Sequence, residues 1–213
     1  MGHEDRKHAT RLGQEDRVQV DRALMLRIQS GDVEAFELLY ARYAHPLLNF
    51  FFQMCFDRTA AEDYLQETFM RVWRARQTYR PIGKVSTWLF QIAKNFWFNE
   101  REKMKRRPFN QVAGGDEAQS QWATVADPSG DTSPAAGARA KETEEAIRNA
   151  VAALSDKLRV VFVMARYQRL PYADIAAILA IPVGTVKSRV SMAEKTLRTR
   201  LAAILTDAED RNE

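Results

Sequence analysis

Cations and aromatic rings lie together along residues 84–107, and the chemistry this combination can perform is binding of unpaired nucleic acid. The rings of Trp88, Phe90, Trp97 and Phe98 exceed what one helix face can bury. Basic residues stand beside and between them: Lys84, Lys94, Arg101, Lys103, Lys105, Arg106 and Arg107. Rings stack on bases, at about 1–3 kcal/mol for each base, and cations follow the phosphates. A plain aromatic core explains the same composition, so the segment alone leaves both interpretations open.

A second basic segment follows a sharp break in the chain. The stretch IPVGTVKSRV, which begins at Ile181, comes directly after an apolar run and contains both proline and glycine. A helix-turn-helix needs such a corner, and Pro182 suits the first turn of its second helix. We expect Val186 to be buried beside Ile175. An ordinary helical hairpin is the alternative.

The second helix of this motif would present polar and basic side chains that suit duplex DNA. A helix of this width enters the major groove, where side chains reach base edges. The candidates for that face are Lys187, Ser188, Ser191, Met192 and Lys195. Thr185 and the first-turn amides suit a phosphate. Arg189, Arg198 and Arg200 suit the phosphate backbone.

Ala180 occupies the corner position where such turns often have glycine. A left-handed backbone conformation is strained for alanine. We therefore expect a different corner geometry here.

Acidic residues provide a third candidate surface. Asp63 and Glu67 are four residues apart on the outward face of a predicted helix, with Gln66 between them. Acids in a first turn complement the helix dipole, which explains Asp63 better than Glu67. A metal-dependent enzyme that uses these acids, Glu62 and His45 is a further alternative. However, the sequence has no His-Glu-x-x-His pattern and no phosphate-cradling glycine loop.

Helices are the elements expected to position these residues, because apolar residues recur at helical spacing and no alternating pattern is evident. We predict an all-α fold of two small helical domains joined by a flexible acidic linker, the C-terminal domain being a helix-turn-helix. The expected bounds are a polar tail at 1–17, the first domain at 18–107, the linker at 108–140, the second domain at 141–206 and a tail at 207–213.

Charge and composition narrow the function classes. The net charge is only +4, but two basic regions flank the acidic linker, which indicates a polyanion bound at two places. The single cysteine, Cys55, excludes a disulfide framework. No apolar stretch approaches the ~18 residues of a membrane span, and the N-terminus lacks a signal-peptide core. We expect a cytoplasmic protein without metal or cofactor.

Four motifs in this order resemble extracytoplasmic-function sigma factors of bacterial RNA polymerase. They are AEDYLQETFMRVW from residue 61, KVSTWLFQIAKN from residue 84, the linker, and LPYADIAAILAIPVGTVKSRV from residue 170. The resemblance covers about residues 20–205. It implies a non-enzymatic, promoter-reading subunit whose first domain corresponds to sigma region 2 and whose second corresponds to region 4.

The resemblance also implies roles for individual residues. Core polymerase would bind Asp63, Gln66 and Glu67. The single strand of the −10 element, with its flipped base, would bind Tyr79, Lys84, Trp88, Asn95, Asn99 and Arg101. The duplex −35 element would bind Thr185, Lys187, Ser188, Arg189, Ser191, Met192 and Lys195. Met192 stands where many relatives have arginine, which predicts altered readout there.

The expected partners are core RNA polymerase, promoter DNA and a cognate anti-sigma factor. A dimeric helix-turn-helix repressor is the alternative function. That alternative needs a dimer interface and a ligand pocket within residues 18–107, and it leaves the Asp63 and Glu67 face unused.

Overall fold

The computed structural model describes residues 3–106 and 134–210, with side chains described for residues 15–106 and 143–202. Every regular element in these ranges is helical. The chain forms α1 (His3–Gln29), α2 (Val33–Cys55), α3 (Arg58–Ala75), a 3₁₀ turn (Arg76–Thr78), α4 (Val85–Arg106), α5 (Pro134–Ala152), α6 (Asp156–Phe162), a π turn (Val163–Tyr167), α7 (Tyr172–Leu179) and α8 (Val183–Asp210). The predicted all-α class is confirmed.

Two aspartates cap the N-termini of two helices in the first module, residues 15–106. The Asp32 carboxylate accepts a hydrogen bond from the amide of Ala35 at 3.0 Å and caps α2. This backbone bond, followed by the bond from Arg27, lowers the pKa of Asp32. The Asp57 carboxylate accepts from the amide of Ala60 at 2.9 Å and caps α3. Short polar side chains thus satisfy amides that have no partner inside the helix.

The segments predicted as tail and linker are only partly described. α1 is helical from His3, inside the predicted 1–17 tail. α5 is helical from Pro134, inside the predicted 108–140 linker. The remainder of that linker, residues 108–133, lies outside the described residues.

Each module has an apolar cluster of its own. In the first module, α1 contributes Met25 and Ile28, which are fully buried in one cluster with Leu39 of α2 and Leu89 of α4. In the second module, residues 143–202, Val151 of α5 and Leu154 in the turn after it pack on α8 through Ala193 and Leu197. These clusters follow the helical periodicity of the sequence.

A third apolar cluster is continuous between the two modules. It joins Phe90 and Trp97 of α4 to Ile175 and Ile178 of α7 and to Val186 of α8. Phe90 and Trp97 are 2% and 3% exposed, so these two rings belong to the core rather than to a free surface. The aromatic surplus of α4 therefore has a structural explanation in part, since this helix is covered on more than one side.

A buried arginine also crosses between the modules. Arg159 of α6 is 7% exposed, and its guanidinium donates to the carbonyl oxygen of Met54, near the end of α2, at 2.9 Å. It also donates to the carbonyl oxygens of Leu154 and Ala152 at the end of α5. Burial lowers the pKa of Arg159. Carbonyls at helix C-termini carry partial negative charge, which compensates this buried cation.

Candidate nucleic-acid interface

The outward face of α3 carries the predicted polymerase-binding residues. Asp63 and Gln66 are exposed, while Leu65 and Phe69 of the same helix point into the core. Glu67 is partly exposed, and its carboxylate accepts from Arg71 Nε at 2.9 Å. The surface is therefore of mixed charge rather than purely acidic.

Two arginines on this face were not among the predicted residues. Besides Arg71, Arg74 approaches the Glu67 carboxylate at 3.9 Å. Both stand four and seven residues after Glu67, which places them on the same side of a helix. The spacing was therefore readable in the sequence.

Tyr79 and Trp88 form one aromatic unit at the entrance to α4. Their ring centroids are 5.1 Å apart at an interplanar angle of 62°. Tyr79 is only 3% exposed, whereas Trp88 is partly exposed. Of the two, only Trp88 presents ring surface to solvent, and the buried Tyr79 ring packs against it. The side-chain amide of Gln29 donates to the backbone oxygen of Tyr79 at 3.0 Å, so α1 also holds this unit.

One side of α4 faces the second module and bonds to it. Lys84 Nζ donates to both carboxylate oxygens of Asp174 in α7, at 2.7 and 3.0 Å. About two helical turns further along the chain, the Gln91 amide donates to the carbonyl oxygen of Ala177 at 2.9 Å. The predicted DNA-binding residue Lys84 is thus engaged with α7.

The basic end of α4 meets a second carboxylate of the other module. Asp156, in the first turn of α6, lies 3.2 Å from Lys105 Nζ and 3.6 Å from Arg101 Nε. Its hydrogen bond raises the pKa of Lys105. Asp156 is largely shielded, with 18% of its side chain exposed. Arg101, another predicted DNA-binding residue, is therefore also paired across the module boundary.

A cavity of about 400 Å³ lies between α4 and the second module. Its walls are Lys94, Asn95, Phe98 and Asn99 of α4 with Lys157, Val160, Leu179 and Arg189. Burial lowers the pKa of Lys94. Two predicted single-strand residues, Asn95 and Asn99, and one predicted duplex residue, Arg189, therefore line the same space.

The corner between α7 and α8 has the expected tight geometry but an unexpected backbone conformation at Ala180. The two helices meet at 103°. Ala180 adopts the left-handed conformation, with φ 53° and ψ 47°. The expectation of a different geometry at this alanine was wrong, because burial of Ile175 and Val186, both fully shielded, holds the corner. The cost of a left-handed alanine, about 1–2 kcal/mol, is smaller than the gain from burying these two side chains.

α8 divides cleanly into a buried and an exposed side. Val186, Val190 and Ala193 are buried, as helical spacing requires. Five predicted base-reading residues are exposed together: Lys187, Ser188, Ser191, Met192 and Lys195. Thr185 and Arg189 are partly buried, and Arg189 points to the inter-module cavity instead of this face.

The described residues bear on two other kinds of site. Among them, no group of three or more His, Cys, Asp or Glu side chains is arranged to hold a metal ion. Within the same ranges no single helix is long and apolar enough to cross a membrane, although α7 and α8 pass on length and composition when taken as a bent pair.

Two family models match the chain in the order of the two modules. Sigma-70 region 2 matches residues 39–107, and sigma-70 region 4 matches residues 144–197. The first match contains α3 and α4, and the second contains the helix-turn-helix. The candidate surfaces therefore fall inside the two matched regions.

Known proteins of similar length align over most of the chain. The RNA polymerase sigma-H factor of Pseudomonas aeruginosa is 30% identical over 188 residues, which cover 88% of this chain and 97% of that protein. The ECF RNA polymerase sigma-E factor of Haemophilus influenzae is 29% identical over 185 residues, which cover 87% and 97%. The corresponding sigma-E factor of Escherichia coli is 28% identical over 185 residues, covering 87% and 96%.

Solved structures share the fold. CnrH, in complex with the cytosolic domain of CnrY, has a TM-score of 0.63 at 23% identity and covers 86% of this chain and 98% of its own. The sigma factor RpoE of Bartonella quintana, in complex with the anti-sigma factor NepR, has a TM-score of 0.59 at 23% identity and covers 78% and 96%. Together with the sequence relatives, this places the chain: it belongs to the extracytoplasmic-function sigma factors of bacterial RNA polymerase.

Proposed function

We propose that this sigma factor binds core RNA polymerase, reads the −35 element as duplex and the −10 element as single strand, and promotes strand opening. The observation that carries the proposal is the five-residue face of α8, which is exposed on a helix set at 103° to its support. That geometry lets a helix project into a major groove. The repressor alternative is not favoured by the family membership.

Duplex reading is assigned to the exposed face of α8. Lys187 supplies a donor for base acceptors, the serine hydroxyls serve as donors or acceptors, and Met192 offers apolar contact. Met192 is 58% exposed, so it is free to touch a thymine methyl group. Readout at that position is therefore apolar.

Single-strand capture is assigned to Trp88 and the polar side of α4. Trp88 offers a stacking surface near the start of the helix. Lys84 precedes it, and Asn95, Asn99 and Arg101 follow it toward the basic end. Stacking at about 1–3 kcal/mol for each base offsets the cost of unpairing. Binding energy alone suffices for this task, so the protein needs no enzymatic activity.

Polymerase docking is assigned to the outward face of α3. Asp63 and Gln66 are exposed there, and Glu67 is partly exposed beside Arg71. Complementary charge across an interface steers association and selects the partner. We assign the first domain, residues 18–107, to docking and melting, and the second, residues 141–206, to −35 recognition.

Two further proposals concern a protein partner and the cellular location. CnrH was solved in complex with the cytosolic domain of CnrY, and the Bartonella RpoE in complex with the anti-sigma factor NepR. A cognate anti-sigma factor is therefore a partner of this chain as well. The site of action is the cytoplasm, where core polymerase meets promoter DNA.

Run-off transcription with purified core polymerase tests the proposal. We expect the chain to co-elute with core polymerase and to direct RNA synthesis from a subset of genomic templates. Sequencing of the RNA start sites then defines the −10 and −35 elements. A chain that fails to bind core polymerase, forms dimers and binds an operator tightly unaided would establish the repressor alternative instead.

A further inference from the structure

The cavity between α4 and the second module carries charge of one sign only. Three of its lining side chains are cations, Lys94, Lys157 and Arg189, and among the described residues that line it none is acidic. Within the part of the chain that the structure describes, none of the three forms an ion pair. Lys84, by contrast, meets the Asp174 carboxylate at 2.7 Å across the same boundary. Positive charge therefore converges in the cavity without a carboxylate to balance it.

We propose that this cavity binds a nucleoside di- or triphosphate, with the phosphates on the three cations and the base against Phe98. The ligand is a free small molecule, so the inference goes beyond promoter recognition. Its test measures nucleotide binding to the chain alone and does not depend on the assignments of individual residues to DNA.

The three cations suit a ligand with more than one phosphate. Burial lowers the pKa of Lys94, which shows that water stabilises its ammonium group less than usual. Arg189 is also partly buried. Like charges that share such a space repel each other, and an anion relieves both costs. One phosphate group carries only about −1.5 to −2 at neutral pH, so three cations match a di- or triphosphate better than a single phosphate.

The α4 wall of the cavity suits a base. Phe98 and Asn99 follow Asn95 by three and four residues, which places the three side chains on one side of the helix. An aromatic ring stacks on a base. Each asparagine amide offers both a donor and an acceptor, as the edge of a base requires. Ring, amides and cations therefore meet in one space.

The size and the opening of the cavity fit such a ligand. Its volume of about 400 Å³ lies within the usual range of small-molecule sites, about 300–1,000 Å³. Asn95, Asn99 and Lys157 are exposed, so the cavity is open to solvent. Its cations come from α4, α6 and α8. A ligand held by all three stabilises the contact between the modules by mass action.

Isothermal titration calorimetry of the full-length chain at physiological ionic strength tests the site. The probes are ADP, GDP, pyrophosphate and adenosine, which separate the contributions of base and phosphates. The cavity variants are Lys94→Gln, Lys157→Gln and Phe98→Leu. Lys103→Gln is the matched control, since it removes the same charge from an exposed position of α4 that does not line the cavity.

We expect ADP or GDP to bind more tightly than pyrophosphate, and pyrophosphate more tightly than adenosine. Each lysine variant of the cavity should weaken nucleotide binding about tenfold, the size expected for loss of one bond to a charged group. Lys103→Gln should remain within about twofold of the parent chain. Phe98→Leu should weaken nucleotide binding at least about fivefold and leave pyrophosphate binding unchanged.

Three results would overturn the site: no nucleotide binding at millimolar concentrations, equal weakening by Lys103→Gln, or pyrophosphate binding as tight as that of the nucleotides. A promoter strand is the other source of the same chemistry, and an oligonucleotide carrying the mapped −10 element is its probe. If Lys157→Gln weakened oligonucleotide binding while ADP and GDP did not bind, the cavity would serve the strand and the proposal would fall. Normal run-off transcription in that case would leave the proposed function intact.

Discussion

The two candidate DNA surfaces of this protein differ in what occupies them. Lys84, which directly precedes α4, and Arg101 of α4 face carboxylates of the other module. On α8, Lys187 and Lys195 are exposed, and neither forms an ion pair within the described residues. One surface is partly covered by the chain itself, and the other is open to solvent.

The difference follows from the composition of the two helices. α4 carries more large rings than one face can bury, and Phe90 and Trp97 are sheltered in the cluster that both modules share. α8 is apolar on one side only, where Val186, Val190 and Ala193 pack inward. Its polar side costs nothing to leave in water. A helix with a surplus of apolar surface attracts a cover, whereas a one-sided helix does not.

The largest effect is expected where the chain loses its contact with core polymerase, because both DNA surfaces are proposed to act in that complex. The double variant Asp63→Lys, Glu67→Lys reverses the charge of the proposed docking face, and juxtaposed like charges should weaken core polymerase binding by at least about 100-fold. Co-elution on gel filtration measures it. Glu144→Lys with Glu145→Lys has the same change in net charge on α5 and should co-elute normally. Co-elution of the α3 variant with core polymerase would remove α3 from the docking interface.

Trp88→Ala should impair the α4 surface and leave the α8 surface unaffected. Loss of the stacking ring, at about 1–3 kcal/mol, predicts a roughly 5- to 150-fold defect in open-complex formation. Binding to a −35 duplex should be unaffected, because α8 lies outside this contact. Permanganate reactivity of thymines in the −10 region measures opening. Trp88→Phe keeps a ring and should recover part of the activity; normal reactivity in the alanine variant would contradict the assignment.

Lys187→Ala should act on the open surface alone. Loss of one base contact predicts altered base preference at the −35 element, at a cost of about 1–3 kcal/mol for the preferred sequence and less for others. Selection of binding sequences from a random duplex library measures the profile. Arg200→Ala, which removes an expected phosphate contact, should weaken all sequences to a similar extent. An unchanged profile for Lys187→Ala would show that this side chain reads no base.

The smallest effect concerns the corner that directs α8. Ala180→Gly relieves a left-handed alanine, while glycine adds freedom to the unfolded chain, so the net gain in stability should be at most about 1 kcal/mol. Denaturant unfolding measures it. Ala177→Gly is the matched control within α7: its backbone is helical, and the change should cost about 0.5–1 kcal/mol. Destabilisation of both variants to the same extent would show that Ala180 is not strained.

Local features of the sequence determined much of this protein. Helical spacing predicts the buried side of α8, the proline and glycine after Ile181 predict the corner, and the acid spacing predicts the outward face of α3. Each depends on residues within a few turns of one another, where periodicity carries the information. Arg71 and Arg74 were equally readable by the same rule.

Only the tertiary structure decided how the modules meet. Lys84 and Asp174 are 90 residues apart, and no periodic signal links positions so distant. The burial of Tyr79 beneath Trp88 and the turning of Arg189 toward the cavity depend on helices packed from several directions. The left-handed Ala180 shows the same hierarchy, because burial of Ile175 and Val186 outweighs the local preference of one residue. Local preferences are worth about 1 kcal/mol each, whereas shared apolar burial sums over many side chains and therefore decides between competing arrangements.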